Sequence, residues 1–418
     1  MEDADQPQAV PEEFIGGFPK ELYRLQSGNL HYRVQVEATT EERTIRNVCG
    51  YKRGREEPDR LVILGNHIDA WGYGAVDSVS GATVMIEIAR IMSLLSKEDN
   101  WQPRRTIVLC AFDGEEYGFH GSINFVEEYL KLLEGRAVAY LNVDPPITGN
   151  FSLTVDSLPS LFGVFIETSK LVENPNEEER LKGRPTVYDS WILDKRKPQI
   201  EGDPYIALLG AGSDQASFFA HLGIPSADLE FQCGDTEPCY PLDHTMLEIP
   251  WTVENLLDRD FKVSAAMGKL WLEIARNLAD SLIIPFSVAD YGTVVQNGME
   301  RLEEILVDNE IGGYEEAIGH LKDAAGRFKG AVDRIQITID TVNSGETEIS
   351  LREAERLNKR LTDLEKSFVN PRGFYKEARR DQNPQNIEKF AKQLSQTLSE
   401  LQYGIESAIL VLDMETAL

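Results

Sequence analysis

The stretch Ile107-Val108-Leu109-Cys110-Ala111-Phe112-Asp113-Gly114-Glu115-Glu116 decides the fold. Its first six residues are apolar without a break, which fits a strand covered on both faces. Carboxylates follow at once, so the end of a buried strand carries groups capable of chemistry. Working outward, Leu61 to Leu64, Ala137 to Val143, Phe151 to Val155, Tyr205 to Leu209 and Ala227 to Phe231 also read as strands. Helical periods lie between them, at Gly81 to Leu95, Gly121 to Leu133, Leu158 to Glu173 and Asp214 to Leu222. This alternation predicts an α/β fold, a three-layer sandwich with a mixed, centrally parallel sheet.

Beyond Trp251 the pattern changes to long helices. Val253 to Leu278 predicts one helix, Leu282 to Phe286 a break, and Leu302 to Val307 the start of another. Ile311, Tyr314, Ile318 and Leu321 recur at helical steps, and so do Leu351, Ala354, Leu357, Leu361, Leu364 and Phe368. A last helix runs from Ile387 towards Ala408. The expected organisation is an N-terminal edge segment at 1–45, a site-bearing α/β domain at 46–254, and a C-terminal helical bundle domain at 255–418 able to supply a dimer interface. Within the first segment, Tyr32, Val34 and Val36 alternate as in an edge hairpin.

The 418-residue chain carries 42 basic and 70 acidic side chains, a formal charge of -28. That balance disfavours nucleic acid as a partner. Met1-Glu2-Asp3-Ala4-Asp5 leads into no apolar stretch, so no secretory signal is expected. No run approaches the ~18 apolar residues of a membrane span, so none is expected either. The four cysteines, Cys49, Cys110, Cys233 and Cys239, are too few for a disulfide scaffold and include no CxxC pair. Cys110, inside the apolar run, is expected to be a buried thiol. Cys233 and Cys239 flank a short polar loop and could form a local disulfide in an exported protein.

Two histidines have suggestive surroundings. His67 lies in Gly65-Asn66-His67-Ile68-Asp69 after an apolar strand, and His244 closes Tyr240-Pro241-Leu242-Asp243-His244. Between them come Asp77, Glu116 and Asp144, the last two after strand-like runs. Singly, each has an ordinary reading as a turn histidine or a solvated carboxylate. Gathered at strand ends, where open α/β folds place their sites, the carboxylates would repel one another without a dication. A consistent arrangement uses two zinc ions. Asp77 bridges both, His67 and Asp144 complete one, and Glu116 and His244 complete the other. One bridging carboxylate holds such ions ~3.5–4 Å apart. Glu115, free beside a ligand, is the expected general base, taking a proton from the attacking water and passing it to the leaving amine. Asp69 is expected either to orient the His67 ring or to cap its loop. Asp113 is expected to brace the Glu115 loop or to cap the following helix.

At these residues the chain resembles the glutamate carboxypeptidase II-like branch of the M28 zinc peptidases, which also includes the transferrin receptors. The motifs are Gly65-Asn66-His67-Ile68-Asp69-Ala70-Trp71, Gly74-Ala75-Val76-Asp77-Ser78-Val79-Ser80-Gly81, Phe112-Asp113-Gly114-Glu115-Glu116-Tyr117-Gly118, Asn142-Val143-Asp144 and the run ending at His244. Trp101-Gln102-Pro103-Arg104-Arg105-Thr106 is similar to the family's lead into the next strand. The resemblance implies the same five zinc ligands, the same glutamate base, a peptide substrate and a homodimer through the C-terminal helices. It also sets this chain apart from the transferrin receptors, whose metal centre is incomplete.

Three departures bear on specificity. Full-length members carry a membrane anchor, a further N-terminal part of the protease domain and an apical domain before this region. The expected substrate pocket here contains Ser213, Asp228, Glu230 and Asp243. Asp228 and Glu230 stand where glutamate-selective members use arginines, so a neutral or basic side chain is favoured over an acidic one. Asp243 replaces a tyrosine, and after Pro371-Arg372-Gly373-Phe374-Tyr375 there is no glycine-rich loop of the glutamate-recognising kind. The expectation is a two-zinc exopeptidase of carboxypeptidase, aminopeptidase or dipeptidase type. The alternatives are a catalytically silent, transferrin receptor-like binding or scaffold protein, and a hydrolase of non-peptide amides. The sequence assigns no compartment.

Overall fold

The computed structural model describes residues 8–10, 15, 19, 23–25, 33–233, 240–369 and 384–413. Residues 1–44 and 45–418 form two compact units. In the smaller one, β1 (Gln8–Ala9) pairs antiparallel with β2 (Arg24–Leu25). Val34 and Val36 belong to no strand and are 86% and 80% exposed, so the edge hairpin expected there is absent. Alternation makes a strand only when a neighbouring segment accepts its ladder, and among the described residues neither has such a partner. Tyr32 lies outside the described residues.

In the larger unit, β3 (Val48–Lys52), β4 (Glu57–His67), β5 (Arg105–Phe112), β6 (Ala137–Asn142), β7 (Ser152–Ser157), β8 (Ala207–Leu208) and β9 (Ser226–Gln232) form one sheet. Its order is β3-β5-β4-β6-β9-β7-β8. The central strands β5, β4, β6 and β9 are parallel, whereas β3 runs antiparallel to β5 and β7 antiparallel to β9, with β8 parallel to β7. The mixed, centrally parallel sheet predicted from the alternation is therefore present.

Helices α1 (Val79–Glu98), α2 (His120–Glu128), α3 (Leu130–Arg136), α4 (Phe162–Ser169), α5 (Glu177–Leu181), α6 (Val187–Trp191), α7 (Gln215–Leu222), α8 (Pro250–Thr252) and α9 (Lys262–Asp280) accompany the sheet. Alternate residues of β5 feed two separate cores. Ile107 joins Val84, Met85 and Ile88 of α1 and Trp271 of α9 on one face, while Cys110 and Phe112 join Val126, Phe218 and Leu222 of α2 and α7 on the other. Both faces are dry, which is why the β5 run has no polar alternation.

Three sequence expectations change. Cys110 is not a thiol: it is bonded to Cys49, directly opposite on β3. An antiparallel register brings together two residues 61 apart, which spacing along the chain does not reveal. Cys233 is also disulfide-bonded, and Cys239 lies outside the described residues. Second, α1 is long and apolar enough to cross a membrane, since only Glu87 and Arg90 interrupt Val79 to Ser96. Its Val84, Met85, Ile88 and Met92 lie in the sheet's core. Third, the long helix over Val253 to Leu278 is divided. Asp258 accepts hydrogen bonds from the backbone N–H groups of Val263 (3.0 Å) and Ser264 (2.8 Å), starting α9 afresh. α9 itself lies on the sheet, with Trp271 Nε1 donating to the Leu141 carbonyl at 3.1 Å.

Helices α10 (Val288–Asp308), α11 (Glu315–Asn343), α12 (Leu351–Leu364) and α13 (Pro384–Asp413) form the C-terminal bundle. Tyr291, Phe328 and Phe368 pack ring against ring inside it. Glu365 is buried beside them, accepting from Tyr291 Oη at 3.0 Å and Ser160 Oγ at 3.3 Å. Burial pushes its pKa from 4.5 up to about 7, against the two hydrogen bonds. The folded state thus holds this proton more tightly than the unfolded chain. Its stabilising contribution is complete below about pH 4.5 and lost as pH rises to about 7. At about 1.4 kcal/mol per unit, the loss is about 3 kcal/mol. Glu365→Gln is expected to remove this drift, so the variant should exceed the parent in stability at pH 8 and roughly match it at pH 4.5. Denaturant midpoints at the two pH values measure it, and a parallel pH dependence in both proteins would refute the assignment.

Candidate metal centre

Because β5, β4 and β6 are adjacent and parallel, their C-terminal ends open on one edge of the sheet. His67 is the last residue of β4, the loop after β5 carries Glu115 and Glu116, and the loop after β6 carries Asp144. Asp77 precedes Ser78, the residue that opens α1, and His244 comes from the loop beyond β9 with φ 58°, in the left-handed region. The Ser78 hydroxyl donates to the His67 carbonyl, drawing the two loops together. A Cβ on Gly81 would sit 2.4 Å from the Asp144 carbonyl, so only glycine lets α1 begin so close to that loop.

The five expected ligands converge. His67 Nε2 is 2.6 Å from Asp144 Oδ1 and 2.9 Å from Asp77 Oδ1. His244 Nε2 is 3.0 Å from Asp77 Oδ2 and 3.2 Å from Glu116 Oε2. Asp77 therefore presents one oxygen to each histidine. His67, Asp77 and Glu116 form one group of candidate ligands, and His67, Glu115 and Asp144 another. A third consists of Asp77, Asp243 and His244, so exposed Asp243 stands close enough to be a ligand as well as a pocket residue.

Donor chemistry fits zinc. Imidazole nitrogens and carboxylate oxygens are its ordinary ligands. Glu116 Oε1 is buried and accepts no hydrogen bond, which is costly for a carboxylate oxygen unless a cation takes its lone pairs. Buried carboxylates this close together favour protonation in the absence of a cation. Burial pushes the Glu115 pKa up to about 9, helped by Asp144, Asp214 and Glu116 and opposed by His67. Burial and Asp77 push Glu116 up to about 7. Burial alone would lower His67, yet its hydrogen bonds to Asp144, Asp69 and Asp77 hold it far above the usual imidazole range. A bound dication replaces these protons, coupling metal uptake to their release.

The supporting residues resolve several alternatives. His67 Nδ1 donates to the Asp69 carbonyl at 3.1 Å, while the Asp69 carboxylate accepts from the backbone N–H groups of Glu115 (3.0 Å) and Glu116 (3.3 Å). Asp69 thus serves ring and loop together. Asp113 caps no helix: its Oδ2 accepts from the Arg46 backbone N–H at 2.8 Å. Asn142 Nδ2 donates to Ser213 Oγ at 3.1 Å and to Asp228 Oδ1 at 3.0 Å. Glu230 lies on the same face of β9 as Asp228, and burial pushes its pKa up to about 7 and that of Asp228 well above the carboxylate range.

Other supports escaped sequence reasoning. Tyr240 Oη donates to Glu248 Oε1 at 2.9 Å, and the Glu248 carbonyl accepts from Ala75 N at 2.9 Å, clasping the His244 loop to the Asp77 loop. Asp214 is fully buried near Glu115, and burial pushes its pKa up to about 7. Only the adjacency of Asp214 to Ser213 before a helix hinted at it. Trp71 lies 4.9 Å from Tyr117 and 6.2 Å from His244 between ring centroids, forming an exposed aromatic shoulder beside the centre.

Residues 47–253 match Peptidase family M28. The chain is 37% identical over 375 residues to a glutamate carboxypeptidase 2 homolog of Caenorhabditis elegans, covering 86% of this chain and 48% of that protein. It is 34% identical over 350 residues to aminopeptidase NAALADL1 of Mus musculus, covering 82% and 46%. A probable glutamate carboxypeptidase LAMP1 of Arabidopsis thaliana is 40% identical over 259 residues, covering 62% and 36%. The chain spans about half the length or less of these curated relatives.

Proposed function

Because this chain belongs to peptidase family M28, in its glutamate carboxypeptidase-like branch, we propose that it is a two-zinc exopeptidase. The observation that carries this reading is Asp77, whose two oxygens lie 2.9 Å from His67 Nε2 and 3.0 Å from His244 Nε2. His67 and Asp144 would hold one ion and Glu116 and His244 the other, with Asp77 common to both. Bound zinc supplies positive charge and Lewis acidity, which make water a nucleophile near neutral pH and polarise the scissile carbonyl.

The chain's own residues do the rest. Glu115, 7% exposed, takes the proton of the attacking water and returns it to the departing amine. Its place is held from behind by Asp69, which binds the Glu115 and Glu116 backbone while anchoring the His67 ring through its carbonyl. Half-buried Asp228 and Glu230 offer no positive counter-charge to an acidic substrate side chain, which favours a neutral or basic residue on the acyl side of the bond.

Peptides with free and blocked termini, offered to the zinc-loaded protein, test this. One free terminus should be required, and acidic residues on the acyl side should slow cleavage. Cleavage of doubly blocked peptides would sink the exopeptidase reading, and dominant release of C-terminal glutamate would sink the charge argument. We further propose a homodimer through the C-terminal helices, where Ile305, Val307, Ile337 and Leu410 are exposed. A monomer at every concentration in sedimentation would dismiss it.

A further inference from the structure

The loop bearing Glu115 and Glu116 is held from outside the sheet by the approach to β3. Asp113 Oδ2 accepts from the Arg46 backbone N–H at 2.8 Å, and the Asp113 N–H donates to Asn47 Oδ1 at 3.2 Å. Asn47 Nδ2 donates onward to the Gly121 carbonyl at 2.9 Å, beyond the far end of the loop. One amide side chain thus spans both ends of the segment from Asp113 to Gly121. The fit is close, since a Cβ on Gly121 would fall 2.6 Å from Asn47 Oδ1. Ile45 reaches the turn between them, its Cγ2 3.4 Å from where a Cβ on Gly114 would stand.

What holds β3 itself is unusual. Among the described residues it is the sheet's edge, pairing with β5 alone. Val48 is 64% and Tyr51 76% exposed, and no β3 residue joins either apolar core. Backbone ladders on a solvated edge open readily, because few apolar contacts must be lost. The Cys49–Cys110 disulfide is the strong attachment. It lies two positions from Asn47 on one strand and three from Asp113 on the other.

We propose that Asn47 is a positioning residue for Glu115 and Glu116, and that the Cys49–Cys110 disulfide locks it in place, making the site sensitive to thiol reductants. Two electrons and two protons from a dithiol convert the bridge to two thiols, and the dithiol becomes a disulfide. β3 then frays, the Asn47 bonds to Asp113 and Gly121 open, and the loop no longer holds Glu116 towards His244 or Glu115 towards the substrate. This inference rests on the two-zinc reading for its effect on catalysis. The brace itself is open to measurement without it.

The experiment compares the full chain with Asn47→Ala, with Cys49→Ala/Cys110→Ala, and with all three substitutions combined. Replacing the cysteines avoids dithiols, which bind zinc. Amide hydrogen exchange at Glu115 and Glu116 should accelerate at least tenfold in each variant. Zinc titration of the metal-free proteins should show one of two sites weakened about tenfold and the other unchanged, and kcat should fall with KM retained. The combined variant should be no worse than the cysteine variant, because both act through one brace. Unchanged exchange in the cysteine variant overturns the proposal, and so does additive loss in the combined one. A residue that only stabilised the fold would lower the melting temperature without separating the two zinc sites. If the parent binds no zinc and cleaves no peptide, the exchange result still decides the brace while the functional reading fails. Should Asn47→Ala not fold, Asn47→Ser and the cysteine variant carry the same comparison.

Discussion

Glu115→Gln is expected to lower kcat by ~10²–10⁴-fold, the usual range for loss of a general base, with two zinc ions still bound. Gln keeps the size of the side chain and the backbone bond to Asp69, but it cannot accept and return a proton. Its neighbour Glu116 bears the contact to His244, so the proposed ligand set is untouched. KM should change little, because the lost interaction belongs to proton transfer. The carboxylate also sets the acid limb of the pH profile. A base works only when deprotonated, so kcat/KM of the parent rises with pH through the Glu115 pKa. Without a cation that pKa is pushed up to about 9, and bound zinc lowers it by charge. The limb should vanish in the variant. Metal analysis with steady-state kinetics is the measurement, and equal turnover by parent and variant would falsify the assignment of the base.

Asp77→Asn is expected to have the other large effect, and on metal rather than on protons. The carboxylate offers one oxygen towards each histidine, whereas an amide retains a single oxygen and sets an N–H₂ group on the other side. Zinc content should drop from two ions to one or none, and turnover with it by ~10³-fold or more, since a clamp of two ions acts as a unit. Thermal denaturation gives an independent reading. A ligand at a thousandfold excess over its Kd stabilises the folded state by about 4 kcal/mol per site, so zinc should raise the melting temperature of the parent far more than that of the variant. Two tightly bound ions in the variant would remove Asp77 from the bridging position.

Much of the architecture was legible because its physical signal is local. The apolar run from Ile107 to Phe112 must lie between two cores, and Ile107 and Phe112 do face opposite ones. The histidines and carboxylates follow strands, and parallel strands deliver their ends to one edge. Weak signals failed where local pattern had no tertiary partner or where one intervened. Val34 and Val36 alternate but pair with no strand among the described residues, and the helical period after Val253 continues through a point where Asp258 restarts the helix. The short edge strand β3 escaped notice because its residues are exposed and bury no periodic face.

By itself, the sequence determined the chemistry available to this protein: which residue types stand at strand ends, and a carboxylate free beside a candidate ligand. These follow from identity and spacing, which need no neighbour to be read. Only the tertiary structure decided how they are shared out. It turned one Asp77 oxygen to each histidine, gave Asp69 both ring and loop, joined Cys49 to Cys110, and set Asn47 across the loop of Glu115. The reason is range: helical and strand periods act over a few residues, whereas these contacts join segments tens of residues apart, and register and packing alone choose among their possible partners.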